Sequence, residues 1–144
     1  MERGSKLYQE LIDFAARTPL QLTGLSQAST MLLGAGIEAD NLVKTLELLG
    51  NAARGDQEDL LGLARNFAQV RTQGKLTGRE LMDFGNRGVP LIDTLARTLG
   101  KTTSEIKDMT SVGQISFDMV QKAFIALSSE GGRFNNLMQL ISHT

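Results

Sequence analysis

The chain has 144 residues and no cysteine, and its 15 basic and 16 acidic side chains give a net charge of −1. This length suits one domain with a real core, and the near-neutral charge gives no reason to expect a polyanion partner. Disulfide scaffolds and cysteine-based metal sites are excluded, and no apolar run approaches the ~20 residues of a membrane span. The N-terminal stretch also lacks the apolar segment of a signal peptide, so we expect synthesis in the cytosol.

Apolar residues at helical spacing predict four helices in the first half of the chain. The first covers residues 5–16 and ends before Pro19, because a residue that precedes proline avoids helical angles. Asp56 is a good cap for the fourth helix, whereas Glu38 is a weak one for the third. The four apolar faces are formed by Leu7, Leu11 and Phe14; by Leu25, Ala28 and Leu32; by Leu42, Leu46, Leu49 and Ala53; and by Leu60, Leu61, Ala64, Phe67 and Ala68.

The local signals are strongest between residues 74 and 99. Gly74 can end the fourth helix in the left-handed conformation. Thr77, with Glu80 three residues later, predicts a capping box that opens a fifth helix. A glycine-rich turn follows, where we expect a positive φ angle at Gly88, and Pro90 suits the first turn of a sixth helix.

Further helices are expected towards the C-terminus. Thr102 with Glu105 predicts another capping box, and Ser116 predicts the cap of a later helix. The apolar stripe of that later helix is Phe117, Val120, Phe124 and Leu127, and a last helix is indicated by Phe134, Leu137 and Ile141. The methionines Met31, Met82, Met109, Met119 and Met138 are expected to fill gaps in the core.

The predicted fold class is all-α. No segment alternates apolar and polar residues long enough to indicate a strand. We expect residues 1–144 to form a single compact multi-helix domain of about seven to nine short amphipathic helices with glycine-punctuated turns. Three expected helix starts, Glu38, Thr77 and Ser116, are evenly spaced, but the segments between them align too poorly to predict a repeat.

Three segments of the chain resemble a known family. LTGRELMDFGNRGVPLIDTLARTLG, followed by VGQISFDMVQKAF and SEGGRF, is similar to the conserved helical domain of phage tail tape measure proteins. The resemblance extends from about Phe14 to about Met138, and FGNRGVPL and SEGGRF are specific only together. It implies a non-enzymatic structural role in tail assembly and tail-length determination, through protein–protein contacts.

The resemblance also implies partners and a location. In that family the whole protein is a largely helical ruler, and tail tube subunits polymerise around it. The implied partners are tube subunits, an assembly chaperone or tail-tip components, with no nucleic acid and no membrane for this segment. The implied location is the bacterial host cytoplasm during assembly and then the virion tail. As one helix this chain would span only roughly 220 Å, so we expect one domain of a longer tape measure protein, or a prophage remnant.

Two turns are candidate partner contacts, because both join helices, place an arginine beside apolar residues and lie in the segments that carry the resemblance. The first turn contains Asn86, Arg87, Gly88, Val89 and Pro90, and the second contains Gly131, Gly132, Arg133 and Phe134. We expect Arg87→Glu and Arg133→Glu to reduce tail assembly with little change in melting. The alternative is that the glycines serve only the turns, and Phe134 only the core.

The residues give little support for catalysis, a cofactor or a metal. His143 is the single histidine and stands beside the C-terminus, where chains fray. Without cysteine, the usual nucleophile–base pairings are missing. The neighbouring carboxylates Glu58 and Asp59 point in different directions on a helix, so a solvated face is expected. We therefore predict no catalytic residue, no cofactor-binding residue and no metal ligand.

Two motif matches bear on other functions. Residues 95–109 fit much of a helix-turn-helix pattern around Gly100, but Glu105 and Asp108 make the would-be recognition helix net negative. The sequence GAGIEA at 34–39 matches the dinucleotide fingerprint GxGxxA, but a helix rather than a strand precedes it, which predicts a double-glycine helix end. The alternative functions are a DNA-binding regulator, which would retain DNA in a salt-dependent way, and a helical adaptor that binds a host protein.

Overall fold

The computed structural model describes residues 2–129, with side chains from residue 6 onward. Within that range eight helices and no strand are found, and 76% of the residues are helical. This confirms the all-α fold class. The helices are α1 (Glu2–Ala16), α2 (Leu22–Gly34), α3 (Ala39–Ala52), α4 (Gln57–Gln73), α5 (Gly78–Asn86), α6 (Leu91–Leu99), α7 (Thr103–Ser111) and α8 (Phe117–Ser128). The expected last helix at Phe134, Leu137 and Ile141 lies outside the described residues.

Most of the expected helix caps are confirmed. The Asp56 carboxylate accepts from the Asp59 N–H at 2.9 Å, and the Ser116 hydroxyl accepts from the Met119 N–H at 3.2 Å. The capping box at the start of α7 has both of its hydrogen bonds, between Thr102 and Glu105. Glu38 makes no side-chain cap bond, as its residue type indicated. These ends were predictable because each depends on atoms only three residues apart.

The expected capping box at the start of α5 is wrong in its bonding, although Thr77 is the N-cap residue. The Thr77 hydroxyl does not accept a backbone N–H; it donates to Oε2 of Glu80 at 2.6 Å. Glu80 is only 3% exposed, so its carboxylate lacks water and takes the nearest available donor. Pro90 is the N-cap of α6, and its carbonyl accepts from the Thr94 N–H at 3.1 Å at the start of that helix.

Even spacing of helix starts does not reflect a repeat. Glu38, Thr77 and Ser116 are the N-cap residues of α3, α5 and α8. Two helices separate the first pair of starts, whereas three separate the second pair. The segments between the starts therefore differ in architecture.

The core is formed where α4 and α8 meet the other helices. α4 packs against α2, and α8 packs against both α3 and α6. Three phenylalanine rings join these helices. Phe67 and Phe84 each lie edge-on to Phe124, and in both pairs the ring centroids are 5.4 Å apart. All three side chains are fully buried, so they link α4, α5 and α8.

Two connections that are distant in sequence are joined by backbone hydrogen bonds. The Leu76 N–H donates to the Ile115 carbonyl at 2.8 Å, and the Phe117 N–H donates to the Gly74 carbonyl at 3.2 Å. Lys75 and Ser116 form an isolated antiparallel bridge at this point. We call this pairing the backbone clasp; it ties the α4–α5 connection to the α7–α8 connection.

The expected core role of the methionines is only partly correct. Met31, Met109 and Met119 are partly buried against the core, but Met82 is 66% exposed. Met82 is two residues from both Glu80 and Phe84, which face inward, so the helix turns it to the opposite side. Met138 lies outside the described residues. Among those residues no helix is long and apolar enough to cross a membrane.

Candidate partner-contact site

The first candidate turn, residues 86–90, divides into exposed and buried parts. Gly88 has a φ of 85°, as predicted, and with Asn86 it is exposed. Val89 is fully buried, and its N–H donates to the Phe84 carbonyl at 2.9 Å. In this conformation Val89 therefore belongs to the core, whereas Arg87 and Pro90 are partly buried. The exposed part of the turn consists of Asn86 and Gly88, together with the accessible portions of Arg87 and Pro90.

Arg87 fixes this turn to α4. Its guanidinium lies over Gly62, where an added Cβ would come within 2.0 Å of the arginine Cζ. Nη1 also lies 3.6 Å from Oδ1 of Asp59, and these two side chains are about one-third exposed, at 33% and 31%. A glycine inside the predicted fourth helix was the available signal for such a close approach. The sequence did not indicate which side chain would fill the space.

Beside this contact is a surface groove between α4 and α5, with a volume of about 480 Å³. α4 lines it with Asp59, Arg65, Asn66 and Gln69. α5 and the turn line it with Arg79, Asp83, Asn86 and Arg87. We call it the α4–α5 groove. Two of the residues predicted as partner contacts, Asn86 and Arg87, thus lie on a groove that the sequence did not reveal.

The α4–α5 groove carries three cationic and two anionic side chains around a buried amide. Asn66 is 5% exposed, and its Nδ2 has no hydrogen-bond partner among the described residues. Arg65, Arg79 and Asp83 form no ion pair within 4 Å in that part of the chain. Guanidinium groups are hydrogen-bond donors. The groove can therefore bind an anionic or carbonyl-bearing group by hydrogen bonds and charge.

The second candidate turn, with Gly131, Gly132, Arg133 and Phe134, lies outside the described residues, so its role stays a prediction. His143 lies there as well. Within the described residues no group of three or more histidine, cysteine, aspartate or glutamate side chains could hold a metal ion.

Both motif matches have a clear place in the fold. Gly34 ends α2 and Gly36 has a φ of 101°, and helices stand on both sides, so the double-glycine helix end is confirmed. α6 and α7 pack together across Gly100, as in a helix-turn-helix pair. α7 exposes Glu105 and Asp108, and hydrogen bonds from Thr102 hold the pKa of the Glu105 carboxyl below its ordinary value. That surface of α7 is net negative, which does not favour DNA binding.

The fold places the chain in the class of small all-α globular domains, with a polar groove beside the turn at 86–90. Over residues 1–144 it matches the family described as tape measure protein. The chain therefore belongs to the tape measure protein family, and the match extends beyond the Phe14–Met138 range that the motifs indicated. No curated protein and no solved structure is significantly similar to it.

Proposed function

We propose that this domain acts by protein–protein contact within a phage tail, where it takes part in tail assembly and in setting tail length. The observation that supports this most is the family match over the whole chain. The proposed partners are tube subunits, an assembly chaperone or tail-tip components, first in the host cytoplasm and then in the virion tail. We also propose that it is one domain of a longer tape measure protein.

The exposed part of the 86–90 turn and the adjoining α4–α5 groove are the proposed contact surface. The two helix faces that line the groove are held together by the contact of the Arg87 guanidinium with Gly62. A surface fixed in this way loses little conformational entropy when a partner binds. Its charged groups are also suited to selecting one partner over another.

The test is a charge reversal that leaves the fold unchanged. Arg79 is exposed and lines the groove, so Arg79→Glu in the tail-producing phage or prophage should lower the yield of complete tails. Arg97→Glu is the matched control, since Arg97 is exposed on α6 and does not line the groove. Electron microscopy of tails and thermal melting of the purified chain measure the two effects. We expect both variants to melt like the wild type.

Two outcomes would count against the proposal. Normal tails with Arg79→Glu, and with Asn86 replaced by a bulky side chain, would remove this surface from consideration. The second candidate turn would then be tested by Arg133→Glu. Tight binding of duplex DNA by the chain at physiological salt would overturn the functional assignment itself.

A further inference from the structure

A second groove, which we call the α3–α8 groove, lies between α3 and α8 and has a volume of about 470 Å³. The apolar side chains of Leu48 and Ile125 line it; Leu48 is partly buried against the core, whereas Ile125 is 46% exposed. Ser128 and Ser129 also line it, at the end of α8, so the chain continues into residues 130–144 directly beside the groove. An exposed aliphatic side chain gains free energy when an apolar partner covers it.

The sequence that follows α8 has an apolar face of the kind that would cover such a groove. Gly131 and Gly132 favour a turn after the end of α8. The next apolar residues are spaced by three, one and three positions, which is typical of one face of a helix, and they are Phe134, Leu137, Met138 and Ile141.

We propose that residues 133–142 form a helix that folds back antiparallel to α8 and places its apolar face in the α3–α8 groove. The occupant of the groove is thus a segment of this same chain. A connection of only a few residues between two helices favours an antiparallel pair of neighbours. Phe134 then contributes to the fold rather than to a partner contact. The inference goes beyond the proposed function and does not depend on it.

The register of such a pair supports this occupant. Both helices rise by ~1.5 Å per residue, so residues at equal distances from a turn at Gly131 lie at the same level. Ile125 precedes Gly131 by six residues, and Leu137 follows it by six. The same count pairs the other two residues of α8 that line the groove with apolar residues of the segment: Ser128 with Phe134, and Gln121 with Ile141.

The length and charge of the groove also fit the segment. The lining residues of α3 extend from Asn41 to Asn51, roughly 15 Å along the helix, and residues 134–141 need roughly 10 Å. Lys44 and Glu47 bring one charge of each sign to the groove. Residues 130–133 likewise carry one acidic and one basic side chain, so no net charge opposes the contact.

A second copy of the chain is a less favourable occupant than the attached segment. The segment begins beside the groove, so its effective concentration there is high, on the order of millimolar for a short connection. A separate molecule would in addition lose translational and rotational freedom on binding.

Disulfide trapping in the 144-residue chain tests the proposal. The chain has no cysteine, so two introduced cysteines are its only thiols. Ile125→Cys with Leu137→Cys is the test pair. Met82→Cys with Leu137→Cys is the control, because Met82 is exposed on α5 and does not line the groove. Mass spectrometry after equilibration in a glutathione buffer measures the intramolecular disulfide.

We expect the effective concentration of the two thiols to be at least about tenfold higher in the test pair than in the control. Equal values for the two pairs would overturn the proposal, since the segment would then have no preference for the groove. Disulfides that form only between two chains would overturn it as well, and would show that a second copy occupies the groove.

A stability comparison gives an independent measurement. Leu137→Ala should lower the melting temperature by at least about 4 °C, because it removes apolar contacts in the groove. Gln139→Ala is the matched control, since Gln139 is two residues from Leu137 and thus on the opposite face of the helix. Equal melting of the two variants would contradict the proposal.

A double-mutant cycle assigns that effect to the groove. Ile125→Ala should lower the melting temperature less in the Leu137→Ala background than in the wild type, because the two side chains contact each other. Additive effects would show that Leu137 packs elsewhere and would overturn the proposal.

Discussion

The Thr77 hydroxyl supports a carboxylate that is almost completely buried. It donates to Oε2 of Glu80, while Oε1 has no partner among the described residues. Thr77→Ala should therefore cost ~1.5–3 kcal/mol, the range for hydrogen bonds to charged groups, rather than the ~1 kcal/mol expected for an ordinary N-cap. Urea unfolding curves measure the difference.

Thr77→Ser retains the hydroxyl and is the control for that substitution. A second control is Thr77→Ala in a Glu80→Gln background, where the cost should fall because no carboxylate remains to lose its donor. If Thr77→Ala and Thr77→Ser unfold at the same urea concentration, the hydroxyl–carboxylate bond does not stabilise the domain.

Glu105 makes a pH-dependent contribution to the stability of the folded state, through the capping box at the start of α7. The Thr102 N–H donates to Oε1 at 3.0 Å, and this bond lowers the pKa of the carboxyl below its ordinary value of 4.5. Because the pKa is lowered in the folded state, the stabilisation is present above pH 4.5 and is lost as the pH falls through the folded value. Wild type should thus exceed Glu105→Gln in melting temperature at neutral pH, and the gap should close in acid. A gap that is constant with pH would contradict this.

At the scale of elements, two glycines near the end of α5 have opposite backbone requirements: Gly85 lies in the last turn of α5, and Gly88 lies in the α5–α6 turn. Gly88 has a φ of 85°, where a side chain costs ~1–2 kcal/mol, so Gly88→Ala should destabilise the domain. Gly85 is helical and an added Cβ meets nothing within 4 Å, so Gly85→Ala should stabilise it by up to ~1 kcal/mol. Thermal melts of both variants test the pair. Two shifts of the same sign would show that the turn geometry is wrong.

Local sequence patterns predicted where several helices begin, but they did not predict which residues of different helices are in contact. Asp56, Thr102 and Ser116 could be assigned as caps because their partners are three residues away. The bonding of Thr77 could not, because it depends on the burial of Glu80, which only the packed structure determines. The α4–α5 groove could not be predicted either, because it forms only when α4 and α5 pack together. In the sequence alone, Asn66 is one polar residue in a helix.

The role of Arg87 shows the same limit. Sequence patterns placed it at a partner surface and indicated little effect of Arg87→Glu on melting. In the structure its guanidinium covers Gly62 and lies near Asp59. A glutamate there would face Asp59 with like charge and leave Gly62 uncovered, so we now expect a lower melting temperature. This is why Arg79→Glu is the cleaner test of the contact surface.

At the scale of the whole molecule, the phenylalanine cluster connects three helices into one core. Phe67 contacts both Phe117 and Phe124, with centroids 5.1 and 5.4 Å apart. Phe67→Ala should cost ~3–5 kcal/mol, the range for deleting a buried aromatic ring. Met82→Ala is the control and should change stability little, because Met82 is 66% exposed. Urea midpoints measure both, and a small effect of Phe67→Ala would argue against a shared core.

The backbone clasp places Leu76 and Ile115, which are distant in sequence, next to each other. While the clasp is closed, the stretch between them, which holds α5, α6 and α7, begins and ends at adjacent positions. Fully extended it would cover roughly 130 Å. Tension that opens the backbone clasp would therefore add this length to the distance between the two ends of the chain. Pulling a single molecule from its ends would release that length as a discrete step.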